Sequence, residues 1–121
     1  MNIATRIWHD EKFRDLPDDA KMLLVYLLTC PHGNMCGLFY LPSLYACHDL
    51  GWPEERYAAA IEHLRGHVCI EEDVILIKNF LRYNPIKGPK QAIGAARRLQ
   101  EVPETSLINP FLELLEKNTL P

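Results

Sequence analysis

Two helical segments separated by a glycine and a proline, followed at once by two short apolar runs, constrain this chain more than any other feature. The segment LPSLYACHDL reads as a short helix, and Gly51 ends it. Pro53 opens a second helix in WPEERYAAAIEHLRGH, because proline tolerates the first helical position and Glu54 and Glu55 suit the positive end of the helix dipole. VCIEE and DVILIK then meet at Glu72 and Asp73 as a hairpin of minimal length. Helix, turn, helix and hairpin in that order over residues 41–78 is the order of a winged-helix domain. The expected fold is mainly α with a small β-wing and a C-terminal helical extension.

The flanks fill in the rest. TRIW reads as a short strand and LPDDAKMLLVYLLTC as the first core helix, with Ala20, Leu23, Leu24, Leu27 and Leu28 repeating at helical spacing to make one apolar face. PHGNMCG is a loop dense in turn formers, and GLFYLP is a strand that should pair with the hairpin. NFLRYNPIKGPK reads as a linker. A helix from Lys90 to Gln100 follows, with Ala92, Ala95, Ala96 and Leu99 on one small-residue face and Arg97 and Arg98 pointing away. Asn109 caps the last helix and Pro110 takes its first position; Phe111, Leu112, Leu114 and Leu115 make that helix too apolar to stand in water. Residues 1–84 are thus expected to form the winged-helix domain. Residues 85–121 form a linker and helical extension that packs on the same domain or on a second subunit. The leucine-rich end favours a dimer or larger.

Composition excludes several classes. With 121 residues, 48% hydrophobic and 24% charged, the chain suits one ordinary globular domain. No apolar run is long enough for a membrane span, and MNIATRIWHDEK lacks the apolar stretch of a signal peptide, so a cytoplasmic protein with no membrane role is expected. Cys30, Cys36, Cys47 and Cys69 then read as reduced thiols. Zinc on Cys30, His32 and Cys36 with Cys47 or His48, or on the pair His63 and His67, matches no standard finger spacing, so neither metal nor cofactor is expected. A phosphate-binding glycine loop, paired catalytic carboxylates and a nucleophile–base motif are all missing, which argues against an enzyme.

The net charge of -3 hides a strong asymmetry. Residues 1–73 hold six basic and twelve acidic side chains, residues 74–100 six basic and none acidic, and residues 101–121 one basic and four acidic, giving regional charges of -6, +6 and -3. Lys78, Arg82, Lys87, Lys90, Arg97 and Arg98 make up the middle block, an electrostatic footprint able to meet phosphates. A solvated face would have the same composition. Phe80 and Tyr83 in that block could stack on bases or simply pack.

At this point the residues resemble a known family. WHDEKFRDLPDDAKMLLVYLLTCPHGNMCGLFYLP, then GWPEERYAAAIEHL, VILIKNFLRYNP and PKQAI, resemble in order the N-terminal domain of phage replisome organisers, related to DnaD-like primosomal replication initiators. The resemblance covers about residues 8–115, and its most specific pieces are Pro31-His32 with Asn34-Met35 and Gly37, and the string from Lys78 to Pro85. It implies a winged helix that self-associates and helps to organise origin DNA and the replicative helicase loader. Longer members carry a second, C-terminal domain with its own DNA-binding activity; these 121 residues end before any such domain.

The second helix of the helix–turn–helix should bury Tyr57, Ala60, Ile61 and Leu64 and turn Glu55, Ala59 and Glu62 outward, with His63 beside them. Two carboxylates aimed at a major groove repel phosphates, where typical readers present Arg, Lys, Asn or Gln. Two functions therefore stand. In one, the module binds DNA non-specifically through the basic block. In the other it is an assembly domain with little direct DNA binding: Glu55, Glu62 and His63 meet a basic partner such as another replication protein, and the wing strands and the terminal helices, with Phe111, Leu112 and Leu115, join subunits.

Overall fold

A computed structural model of the chain describes residues 10–30, 36–83, 86 and 88–118; the expected strand TRIW lies outside them. In chain order the elements are α1 (Glu11–Arg14), α2 (Asp18–Thr29), β1 (Leu38–Tyr40), α3 (Ser43–Leu50), α4 (Glu54–Glu62), β2 (Val68–Glu71), β3 (Val74–Ile77), α5 (Phe80–Tyr83), α6 (Gly88–Leu99) and α7 (Ile108–Asn118). The molecule is mainly helical with a small antiparallel sheet of three strands, ordered β1-β3-β2.

Helical periodicity in α2 buries Ala20, Leu23, Leu24 and Leu27 along one stripe. In α3, the left-handed conformation that Gly51 adopts (φ 70°) lets the chain turn back, and its N–H caps the Cys47 and His48 carbonyls. Tyr57 and Ala60 of α4 face the same core, with Leu64 fully buried just beyond the helix. Polar contacts fix the three helices at their outer rims. Arg56 grips Asp19 through two hydrogen bonds of 2.8 and 2.9 Å and stacks 4.5 Å from the Trp52 ring, while the Tyr26 hydroxyl donates to Asp49 at 2.6 Å.

The hairpin turns at Glu72 and Asp73, both left-handed (φ 45° and 67°), the pattern of a type I′ turn whose twist matches that of the strands. β3 pairs with β2 from Val68↔Ile77 to Glu71↔Val74, and with β1 from Leu38↔Leu76 to Tyr40↔Val74. The strand predicted in GLFYLP therefore does pair with the hairpin. All four residues of β3 are buried, so both faces of the sheet are covered. Phe39, Val68, Ile75 and Ile77 join the cluster of α2, α3 and α4. Leu38, Val74 and Leu76 join a second cluster with Leu81, Ala95 and Phe111, against which Cys69, Leu99, Leu114 and Leu115 also pack.

This second cluster corrects several expectations. Phe111, expected at a subunit contact, is fully buried within its own chain, because the apolar face of α7 lies on the sheet. The expected linker contains α5, which sends Phe80 into the first cluster and Leu81 into the second. At Gly37, held at φ 82°, an added Cβ would come within 2.5 Å of the Phe80 Cβ, so only glycine lets the chain pass beneath α5. α4 ends at Glu62, and residues 63–67 follow as turns. In α6 only Ala95 is buried and Leu99 half-buried; Ala92 and Ala96 are exposed. α7 begins at Ile108, not after an Asn109 cap: Thr105 Oγ1 accepts from the Leu107 N–H, and the Ile108 N–H donates to the Thr105 carbonyl. Residues 104–107 are in turn held by Glu71 at the end of β2, whose carboxylate accepts from Thr105 Oγ1 (3.1 Å), the Ser106 N–H (2.9 Å) and Ser106 Oγ.

Candidate nucleic-acid and assembly surfaces

The described members of the basic block sit on two elements, Lys78 after β3 and Lys90, Arg97 and Arg98 on α6. Lys78 follows β3 at the base of the hairpin, far from its tip; its N–H donates to the His67 carbonyl at 2.9 Å and its Nζ to the Arg65 carbonyl at 3.5 Å. Beside it, Lys117 of α7 lines the same cleft of about 450 Å³, floored by Cys69, Leu76 and Leu114. Lys90 and Arg97 are exposed on α6, seven residues apart and hence on one face, with exposed Ile93 between them. Arg98 is also exposed, but Glu101 folds back against it at 3.4 Å. The Arg82 side chain and Lys87 lie outside the described residues.

The outward face of α4 is less acidic than the spacing of its carboxylates implies. Glu55 and His63 are exposed as expected. Glu62 is gripped by Arg65 through two hydrogen bonds of 2.7 and 2.8 Å, and that guanidinium holds its carboxyl below the usual carboxylate range. The i,i+3 spacing of Glu62 and Arg65 was the signal that could have revealed this pair. No comparable signal joins Asp19 to Arg56, 37 residues apart, which ties α4 to α2. The hairpin tip is acidic: Glu72 and Asp73 are exposed there, beside Glu71.

Of the residues expected to join subunits, Leu112 is exposed (47%) and Leu115 is half-buried against the second cluster, while Phe111 is enclosed. Ile108 and Leu112, four residues apart, make a stripe on the outer side of α7.

The thiols stand apart from one another. Cys30 and Cys47 belong to the first cluster and Cys36 to the second, on the opposite face of the sheet. None of the four cysteines is joined in a disulfide, and only Cys69 is more than marginally exposed. Burial pushes the Cys36 thiol up to about 11 and raises that of Cys47, so neither is a ready thiolate. Among the described residues, no three His, Cys, Asp or Glu side chains converge as a metal site, and His32 lies outside them. Because α4 ends at Glu62, His63 and His67 do not share a helical face. Among the described residues, no helix is long and apolar enough to cross a membrane.

No protein-family model, curated protein or solved structure matches the chain.

Proposed function

We propose that this chain is a winged-helix module that binds DNA through phosphates, without marked sequence preference, and self-associates as part of a replication assembly. The order α2, β1, α3, α4, β2, β3, with β1 added to the hairpin on the β3 side, supports the fold reading. The replication setting rests on the resemblance of residues 8–115 to replisome organisers.

The observation that carries DNA binding is the exposed pair Lys90 and Arg97, on a helix that contains no acidic residue. Seven residues set them about 10 Å apart along the helix axis. Arg98 adds a third cation once a phosphate displaces Glu101. Glu55 on α4, and Glu72 and Asp73 at the hairpin tip, repel phosphates, so neither the usual reading helix nor the wing tip supports sequence readout.

Titration of a DNA duplex at two salt concentrations tests this. Changing Lys90 and Arg97 together to Ala should weaken binding to every sequence alike and flatten the log–log salt slope by about 1.8, two phosphate contacts. An unchanged slope would place the phosphates elsewhere.

Exposed Ile93, Ile108 and Leu112 favour a second reading, an assembly domain with little direct DNA binding. Glu55→Gln separates the two. It should tighten non-specific DNA binding if α4 lies near phosphates, and weaken a complex with a basic protein if α4 meets one.

A further inference from the structure

The outer edge of β2 has no neighbouring strand among the described residues. In a two-residue hairpin, Glu71 and Val74 exchange hydrogen bonds across the turn, so Cys69 and Glu71 direct their backbone groups at β3, and Val68 and Ile70 direct theirs outward. Bonds on both sides of β3 agree with that parity: the Lys78 N–H donates to the His67 carbonyl and the Ile77 N–H to the Gly37 carbonyl. The Val68 N–H is taken by the Leu64 carbonyl at 2.9 Å. The Val68 carbonyl and both backbone groups of Ile70 therefore face away from β3.

The Ile70 side chain is 44% exposed, and with Ile61, Arg65, Val68 and Cys69 it lines a groove of about 470 Å³ along the edge. The segment VCIE contains no proline or lysine, and its register with β3 runs without a bulge.

We propose that β2 pairs antiparallel with β2 of a second copy, joining two three-stranded sheets across a two-fold axis near Ile70. The proposal rests on the self-association reading above and assigns its surface. Charge selects a second copy over another extended segment. Lys78 lies at the base of the hairpin, and Glu72 and Asp73 at its tip. An antiparallel copy sets each acidic tip beside the other's basic base, so the attraction is made twice.

The test uses the full chain, light scattering and a short bis-maleimide. Cys69 is the half-exposed thiol, with Cys30, Cys36 and Cys47 buried, so a linked dimer that Cys69→Ser abolishes reports on β2. Ile70→Pro removes the outward N–H and leaves the β3 ladder intact, while Ile70→Lys keeps the backbone and adds a charge to the edge. Circular dichroism checks that both variants fold. The expected result is a wild-type mass of at least two chains, Cys69 linkage, and dimerisation about tenfold or more weaker in both variants. A wild-type oligomer without Cys69 linkage, or with its mass unchanged in the folded variants, overturns the β2 interface and leaves self-association standing. A monomeric wild type at tens of micromolar overturns both.

Discussion

Ile75 and Ile77 on one face of the sheet and Val74 and Leu76 on the other are equally buried, yet different kinds of helical layer bury them. The first face meets α2, α3 and α4, which are tied to one another by the Arg56–Asp19 and Tyr26–Asp49 contacts at their rims. On the second face, Leu81 of α5, Ala95 of α6 and Phe111 of α7 supply enclosed apolar contacts, and Glu71 holds the loop between α6 and α7 through Thr105 and Ser106. Amphipathicity alone does not say whether a helix will bury its stripe within its own chain or against another. Here α7 does the first with Phe111 and leaves Ile108 and Leu112 outside, so only that remainder is available to a partner.

The largest test of the comparison is stability. Phe111→Ala should cost about 3–5 kcal/mol and Leu23→Ala about 2–5 kcal/mol in urea unfolding followed by circular dichroism, since both side chains are fully enclosed. Comparable losses, each in a single transition, are expected if the two faces form one cooperative core. A loss below about 1 kcal/mol for Phe111→Ala would make the C-terminal layer a detachable cover rather than half of the core.

How legible each face was follows from the same difference. Residues 18–77 announce their elements because apolar spacing, Gly51 and Pro53 act locally, and α2, α3, β1 and the hairpin lie where those signals place them. The second layer depends on contacts between distant positions. Nothing local in NFLRYNPIKGPK says that Phe80 and Leu81 enter opposite clusters, or that Gly37 must lack a Cβ for Phe80 to sit there. The candidate site shows a similar limit. Arg97 and Arg98 were readable as pointing away from the small-residue face, whereas the turn of Glu101 back onto Arg98, and the approach of Lys117 to Lys78, depend on how the chain folds back.

A smaller effect is expected where the two regions are joined. Glu71→Gln keeps the shape of the side chain but removes the charge that strengthens its bonds to Thr105 and Ser106, so it should cost about 1 kcal/mol. Amide hydrogen exchange should quicken in residues 105–111 and stay unchanged in α2. Equal quickening in both would show that Glu71 supports the whole molecule and not the seam between its layers.

The smallest effect concerns pH at the base of the hairpin. Partial burial holds the His67 imidazole below its ordinary value of 6.5; Lys12 and Lys78 push in the same direction, and Asp10 opposes them. Below pH 6.5 the unfolded chain therefore binds a proton that the folded chain resists, and stability should decline as pH falls from 6.5 through the folded value. The carboxylates act in a lower window. Arg56 and Arg65 hold Asp19 and Glu62 below their ordinary 3.8 and 4.5, so the stability those pairs add is present above these values and is lost only as pH falls through the folded ones. Urea midpoints measured from about pH 7.5 to about pH 5.5 isolate the histidine. His67→Gln should flatten that segment of the profile and leave the acid limb in place; a wild-type profile already flat there would mean that His67 charges as readily in the folded chain as in the unfolded one.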